Sequence, residues 1–321
     1  MAATTQNLII KGFQIFNNGN ISKGIKPKIE MITSHYGSIG AFLKANQADL
    51  ERIVFKVDDK KFKLTKRDFA KIQSFQKSGL IDNKLSIQDN FVKILTTDFI
   101  KRQVKMIDNL NLDTLNVNPI LAGALNLNNE TDLIRYYTYQ AISRSIVTSV
   151  GFLVQDLLLY ASDFVFDGKE EAQGGDTKWD LVVKKVNEAN TYLEIKSGPN
   201  DLNKKQIGAY KKDIVAIEQQ GLKAFIGETY GKREAKTVTH GHYAKYLPDW
   251  ENRTLIGKEL WEYVSGTKDY HTKLIRLLYE TSEKALRHET FIKKIEKKIK
   301  PLTVDFRNQY KTYDAFLNSL W

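Results

Sequence analysis

The stretch from Trp179 to Pro199 constrains this chain more than any other part of it. It holds two short runs of bulky residues, WDLVVKKV and TYLEIKS, on either side of Asn187-Glu188-Ala189-Asn190. Short runs rich in β-branched and aromatic residues, bounded by turn formers, read as strands, and a short polar gap lets two of them pair as a hairpin. Asp180 opens the first run, Trp179–Val186, and Glu194 and Lys196 stand inside the second, Thr191–Ser197. Side chains alternate across a sheet, so Glu194 and Lys196 share one face while Ile195 points into the core. A charged pair inside an otherwise apolar strand requires partners, because an unpaired buried charge is costly. Gly198 and Pro199 end the strand abruptly, and Gly174 and Gly175 permit close backbone approach ahead of Asp180.

Around these strands the apolar pattern predicts a long amphipathic helix from Thr131 to Tyr160, with Gly151 as a point of interruption. A helix over Leu202–Gln219, a strand over Lys223–Glu228 and a loop reaching Pro248 follow. Helices over Leu255–Val264 and Tyr270–Lys298 close the expected order. Helix, antiparallel strand pair, helix and strand make an α/β core of mixed sheet. In IKKIEKKIK, Ile292, Ile295 and Ile299 lie on one helix face and suit packing.

Charge divides the chain unevenly. Residues 1–110 carry nineteen basic and ten acidic side chains, a net +9, against +2 for the remainder. This first third has short amphipathic helical patterns: Ile39, Phe42 and Leu43, then Leu50 and Ile53, then Phe69–Phe75 and Phe91–Ile100. The Asn-rich segment NLNLDTLNVNPILAGALNLNNETD reads as loop or linker, which puts a domain boundary near residue 110. The expected domains are a basic, mainly helical 1–110 and a 111–321 domain that holds the strands.

The total charge of +11 favours a polyanionic partner without naming one. No cysteine is present, which excludes disulfides and thiolate metal sites. MAATTQNLII has neither a basic start nor a long apolar run, so it does not read as a secretory signal. The apolar stretch Ser145–Phe166 is interrupted by Ser149, Gln155, Asp156 and Asp163 and reads as too polar to span a bilayer. The expected setting is the cytoplasm.

Asp180, Glu194 and Lys196 together are what phosphodiester hydrolysis needs. Two carboxylates can hold a hard divalent cation such as Mg²⁺, and the backbone carbonyl of Ile195 is a further oxygen ligand. Such a cation neutralises charge on the scissile phosphate and acidifies a bound water. A lysine beside it can orient or help deprotonate that water. The competing reading is a Glu-x-Lys pair on a solvated strand face.

WDLVV followed by YLEIKSG resembles the motif of the PD-(D/E)XK nucleases, and within them the type II restriction endonucleases. The resemblance assigns catalysis to Asp180, Glu194 and Lys196 and metal binding to Asp180, Glu194 and Ile195. Trp179 stands where the motif's proline would be. Many members take a further acidic group from the preceding helix, a place that falls to Gln155 or Asp156 in GFLVQDLLLY. LEIKSG, IGETYGKREAKT, GKELWEYVSG and the upstream NPILAGALNLNNETDL are similar to the restriction enzymes that cut interrupted GGNCC-type palindromes. This likeness covers roughly residues 110–290. It implies a restriction-endonuclease-like mixed sheet flanked by helices, with an added helical N-terminal domain. It also implies Mg²⁺-dependent cleavage of double-stranded DNA leaving 5'-phosphates, and a homodimer matched to a palindrome. A cognate DNA methyltransferase is implied as a functional counterpart rather than a bound partner. The alternatives are a repair or recombination nuclease with the same core, and a non-catalytic DNA-binding protein.

Several other groups are candidates for DNA contact. Lys232, Arg233, Lys236 and His240 lie in the basic, aromatic segment YGKREAKTVTHGHYAKYLPDW, which also reads as a solvated loop. His240 and His242 lack a third ligand, so zinc is not expected. Gln206 and Tyr210 form a Gln-x3-Tyr pattern similar to that of recombination exonucleases in the superfamily, or an ordinary helix surface. YGSIGAFLKANQADLERI is similar to one unit of a helix-hairpin-helix module, with KVDDKKFKLTKRD in place of its Gly-rich hairpin. Lys60, Lys61, Lys63, Lys66 and Arg67 in that segment are phosphate contacts or plain surface.

Overall fold

The computed structural model describes residues 3–18, 26–53, 55–57, 60–171, 178–199 and 202–320. Gly174 and Gly175, expected ahead of Asp180, lie outside them. The chain divides into two compact units. One comprises Met1–Leu95 with Val154–Leu278, the other Thr96–Leu153 with Tyr279–Trp321.

In the first unit, β1 (Phe55–Val57) and β2 (Lys60–Phe62) form a small antiparallel hairpin. The main sheet has the order β3 (Val165–Asp167), β4 (Leu181–Val183), β5 (Thr191–Lys196), β6 (Lys223–Glu228), β7 (Thr254–Ile256). β3, β4 and β5 run antiparallel, whereas β5, β6 and β7 run parallel. Parallel neighbours need a crossover. The helices Lys204–Glu218 and Val238–Tyr246 supply the two crossovers, and both pack on one sheet face through Ile207, Ile214 and Tyr243 against Ala224 and Ile226. The mixed sheet expected from the sequence is present with five strands.

Three expectations for this unit are corrected. The segment read as a loop to Pro248 contains the helix Val238–Tyr246, started by Thr237, whose hydroxyl accepts the His240 N–H at 3.0 Å. Leu255, read as the start of a helix, lies in β7, and the helix is Lys258–Ser265. The first strand is shorter than Trp179–Val186, because Trp179 turns into the helix-covered core and the strand ends at Val183, ahead of the turn at Val186 and Asn187.

The N-terminal residues of this unit are helical, as their periodicity predicts. Helix Thr5–Phe16 packs on helix Lys66–Lys77, with Phe13 edge-on to Phe75 at 5.4 Å. Gly12 leaves room for Phe75 and Ile81, which a Cβ would meet at 3.1 Å. The Ala3 N–H reaches Ser162 O, Lys11 pairs with Asp156 at 3.1 Å, and Phe91 stacks on Tyr160 at 3.8 Å.

The second unit buries Leu115, Ala122, Tyr137, Ile295, Ile299 and Phe306 in one core. The Asn-rich segment read as a linker contributes Leu115 and Ala122 to it, from a 3₁₀ turn over Leu112–Leu115 and a helix over Pro119–Ala124. The Tyr137 hydroxyl donates to Asn118 O at 2.8 Å and pins that segment. Helix Glu130–Leu159 continues through Gly151 without a break. It is long and apolar enough to cross a membrane, by length and composition. Here its N-terminal half supplies Leu133, Ile134 and Tyr137 to the core, while Val147 and Phe152 are exposed. The helix expected over Tyr270–Lys298 is two helices, Tyr270–Ala285 and Phe291–Tyr310. Arg287 and His288 separate them with φ of +54° and +60°, a conformation no helix interior accepts.

Candidate active site

β4 and β5 carry the candidate catalytic groups to one place. The backbone around Asp180 is fixed from both sides: its N–H donates to Leu193 O at 3.0 Å, and its carbonyl accepts Gly168 N–H at 3.0 Å. Gly168 is required there, because a Cβ would stand 2.1 Å from Trp179 O. Asp180 Oδ2 accepts the Ile195 N–H at 2.8 Å, and Oδ1 accepts the Gln155 side-chain amide at 3.1 Å. Asp180 is thereby locked to the strand that bears Glu194 and Lys196.

Glu194 is buried and Lys196 half-buried, on the face beneath helix Lys204–Glu218. Lys196 Nζ lies 2.6 Å from Glu194 Oε1, and the Tyr210 hydroxyl donates to the same oxygen at 2.6 Å. Lys196 also sits 5.3 Å from the centre of the Tyr210 ring, a cation–π arrangement. Glu194 Oε2 takes part in neither hydrogen bond.

Burial pushes the Asp180 carboxyl above the usual carboxylate range. The Ile195 N–H opposes this, and the Glu194 charge adds to it. Burial pulls the Lys196 ammonium down, but the hydrogen bond and charge of Glu194 outweigh it and the net direction is up. Burial and Glu194 together raise the Tyr210 phenol. Two carboxylates held close, with one of them disfavoured as an anion, suit a divalent cation that would relieve their mutual repulsion. An ammonium at the edge of the same cluster suits a phosphate or the water that attacks it.

The auxiliary candidates separate. Gln155 touches Asp180 as a hydrogen-bond donor and so steadies it. Asp156 is turned to Lys11. Gln206 folds back on its own helix start, where it and Asn203 form a reciprocal cap at 3.0 Å each way. Of the Gln-x3-Tyr pattern only Tyr210 reaches the cluster.

The family model for the type II restriction endonuclease EcoO109I matches residues 86–285, more than half of the chain. The chain belongs to that family. No curated protein matches the restriction endonuclease described here. Family membership makes it a site-specific deoxyribonuclease that binds double-stranded DNA.

In this restriction endonuclease the basic segment after β6 is less free than its composition suggests. Lys232 and Lys236 are exposed. Arg233 is engaged internally: it bonds Thr254 Oγ1 at 3.0 Å and Thr254 O at 2.9 Å, pairs with Glu259, and lies over the Trp250 ring. His240 is buried. Its Nδ1 is 2.8 Å from Ala235 O and its Nε2 is 3.1 Å from Glu228 Oε2. A carbonyl only accepts, so Nδ1 carries hydrogen, and the Nε2 contact then needs a second proton shared with the carboxyl. Glu228 is fully buried at the end of β6, in register with Lys196, and its Oε1 has no partner among the described residues. Sequence reasoning missed Glu228. The signal was a carboxylate closing an apolar strand, as Lys196 closes β5.

Of the N-terminal candidates, Lys60 and Lys61 lie in β2, Lys63 follows it, and Lys66 and Arg67 open helix Lys66–Lys77. Lys63, Lys66 and Arg67 are exposed. Glu262, Asp269 and His271 also gather closely enough to hold a cation. Lys258 already pairs with both carboxylates of that group, at 3.6 and 2.8 Å.

Proposed function

We propose that this restriction endonuclease has a PD-(D/E)XK core and cuts double-stranded DNA with Asp180, Glu194 and Lys196. The observation that carries the reading is the 2.8 Å bond from Ile195 N–H to Asp180 Oδ2, which joins the lone aspartate to the Glu-x-Lys strand. Asp180, Glu194 and the Ile195 carbonyl would hold Mg²⁺. The ion would supply charge neutralisation at the phosphate and a more acidic water. Lys196 would orient the attacking water toward phosphorus. As the water oxygen bonds to phosphorus and releases a proton to solvent, the bond to the 3'-oxygen breaks and that oxygen takes a proton from solvent, leaving a 3'-hydroxyl and a 5'-phosphate. Gln155 and Tyr210 hold the two carboxylates while this happens.

The target proposed is a G/C-rich palindrome of GGNCC type, cut by a homodimer because a two-fold protein matches a two-fold site. The segment Leu255–Lys298 is the proposed interface, through its helices from Lys258 onward; Ile275 is half-exposed there, although Leu274 is buried. Residues 1–110, which the structure divides at Leu95 between the two units, are proposed to hold DNA. The setting is the cytoplasm, beside a methyltransferase of the same specificity. A second reading, a recombination-type nuclease, is favoured by the contact of Tyr210 with Glu194. One experiment decides between them: closed circular plasmid incubated with the protein and Mg²⁺, the ends sequenced. Discrete fragments with 5'-phosphates support restriction, and a smear supports the second reading. A gel shift without cutting removes both.

A further inference from the structure

The segment between β6 and helix Val238–Tyr246 is anchored on several sides. The Thr229 N–H donates to Lys196 O at 3.1 Å, and its hydroxyl donates to Ser197 O at 2.6 Å. Its own carbonyl accepts the Trp261 indole at 2.8 Å. Gly231 has φ +125° and packs so tightly on Gly257 that a Cβ there would come within 2.5 Å of Gly231 O. Arg233 and His240 hold the remainder from beneath. From this fixed backbone Tyr230 projects with 63% of its surface exposed. Its ring lies across Gly198: a Cβ at that position would stand 2.3 Å from Tyr230 Cζ and 2.4 Å from its hydroxyl oxygen. A glycine notch two residues past Lys196 therefore seats the ring.

We propose that Tyr230 is a DNA-contacting residue of the cleavage site. Its ring packs on the deoxyribose beside the scissile phosphate, and its hydroxyl donates to a neighbouring phosphate oxygen. The inference rests on the reading of Lys196 as catalytic. Single exposed aromatics are ordinary, but this one is immobilised by a notch that only glycine provides, at the end of the strand bearing Glu194 and Lys196. A ring ordered in advance loses little entropy on binding. Tyrosine hydroxyls are common donors to the DNA backbone. Lys232 and Lys236, exposed on the same segment, supply the long-range attraction.

The test compares wild type with Tyr230→Ala and Tyr230→Phe, using the duplex defined by the sequenced plasmid ends. Affinity is measured with Ca²⁺ in place of Mg²⁺, and steady-state cleavage with Mg²⁺. Tyr230→Ala should weaken affinity and raise KM about tenfold, as expected for a loss of ~1.4 kcal/mol. Its kcat should stay within about threefold of wild type and its salt slope should not change. Tyr230→Phe should retain most of the ring's contribution and lose a few-fold in affinity. Wild-type affinity in Tyr230→Ala overturns the inference. So does a loss confined to kcat at saturating DNA, the mark of a displaced Lys196. If Tyr230→Ala fails to fold, Tyr230→Phe decides, and unchanged affinity there overturns the inference. A wild type that cuts no DNA would instead remove the nuclease reading itself.

Discussion

The Tyr210 hydroxyl donates to Glu194 Oε1 at 2.6 Å, from a helix sixteen residues further along the chain. Lys196 holds the same oxygen, so among the described residues removing the hydroxyl leaves the ammonium as the side chain bonded to Glu194. Tyr210→Phe keeps the ring beneath Lys196 and deletes one bond to a charged group, worth ~1.5 kcal/mol or more. Single-turnover cleavage should slow about tenfold with DNA affinity unchanged. Wild-type cleavage would mean that Lys196 alone holds the carboxylate.

Asp180→Ala, Glu194→Ala and Lys196→Ala should each reduce cleavage by more than about a hundredfold, the usual loss when one major electrostatic group goes. Gel-shift affinity should be largely spared, because phosphate and base contacts elsewhere supply it. Asp180→Ala also frees the Ile195 N–H and the Gln155 amide, so a thermal melt belongs beside the assay. Wild-type cutting in any one of the three would sink the assignment.

The gathering of Asp180, Glu194 and Lys196 was legible because strand alternation turns sequence spacing into facing. Glu194 and Lys196, two apart, share a face, and the short Asn187–Asn190 gap brings Asp180 beside them. The partners across the sheet were not legible. Glu228 stands beside Lys196 in a parallel register set by a crossover helix, which no local pattern encodes. His240 was read as part of an exposed loop because basic residues surround it. Its burial follows from the helix that Thr237 caps, and a threonine three residues ahead of the histidine was the available signal. Leu255 was absorbed into a helical rhythm because β7 has only three residues before Lys258 begins the helix. The Asn-rich segment looked like a linker by composition, yet Leu110, Leu115 and Ala122 within it are buried in the core, while Ile120 and Leu125 are exposed.

His240→Ala would leave Glu228 fully buried with its remaining side-chain hydrogen bond gone. Breaking a buried pair from one side costs about 3 kcal/mol or more. Urea unfolding should therefore show a marked loss of stability, while Glu228→Gln, which removes the charge, should lose less. A His240→Ala protein as stable as wild type but weaker on DNA would return His240 to the role of a DNA contact.

Asp68 offers a test by pH. It caps helix Lys66–Lys77 together with Thr65 and accepts from Lys28 at 2.7 Å. Burial works against its charge, but the Lys28 and Thr65 hydrogen bonds outweigh it and hold the carboxyl below the usual carboxylate range. A carboxyl depressed in the folded state adds stability above its unfolded pKa and loses it as pH falls through the folded value. Asp68→Asn should cost about 1 kcal/mol near neutrality, the typical worth of a cap. The gap to wild type should close below about pH 4, the ordinary carboxylate range. A gap that stays constant into acid would show that shape rather than charge matters at this position.

The +9 of residues 1–110 has a distinct signature if it holds DNA by its backbone. Phosphate contacts release condensed counterions, so they carry a steep salt dependence and little sequence information. Lys63, Lys66 and Arg67 are exposed around the end of β2, the strand that bears Lys60 and Lys61. Neutralising all five should weaken binding to cognate and random duplexes about equally. The slope of log affinity against log salt should fall by about 0.9 for each phosphate contact removed. The cleavage pattern on plasmid should stay the same, because phosphate contacts carry little sequence information. A changed pattern would make this region a reader of sequence. Unchanged affinity and slope would leave its lysines as plain surface on a structural domain.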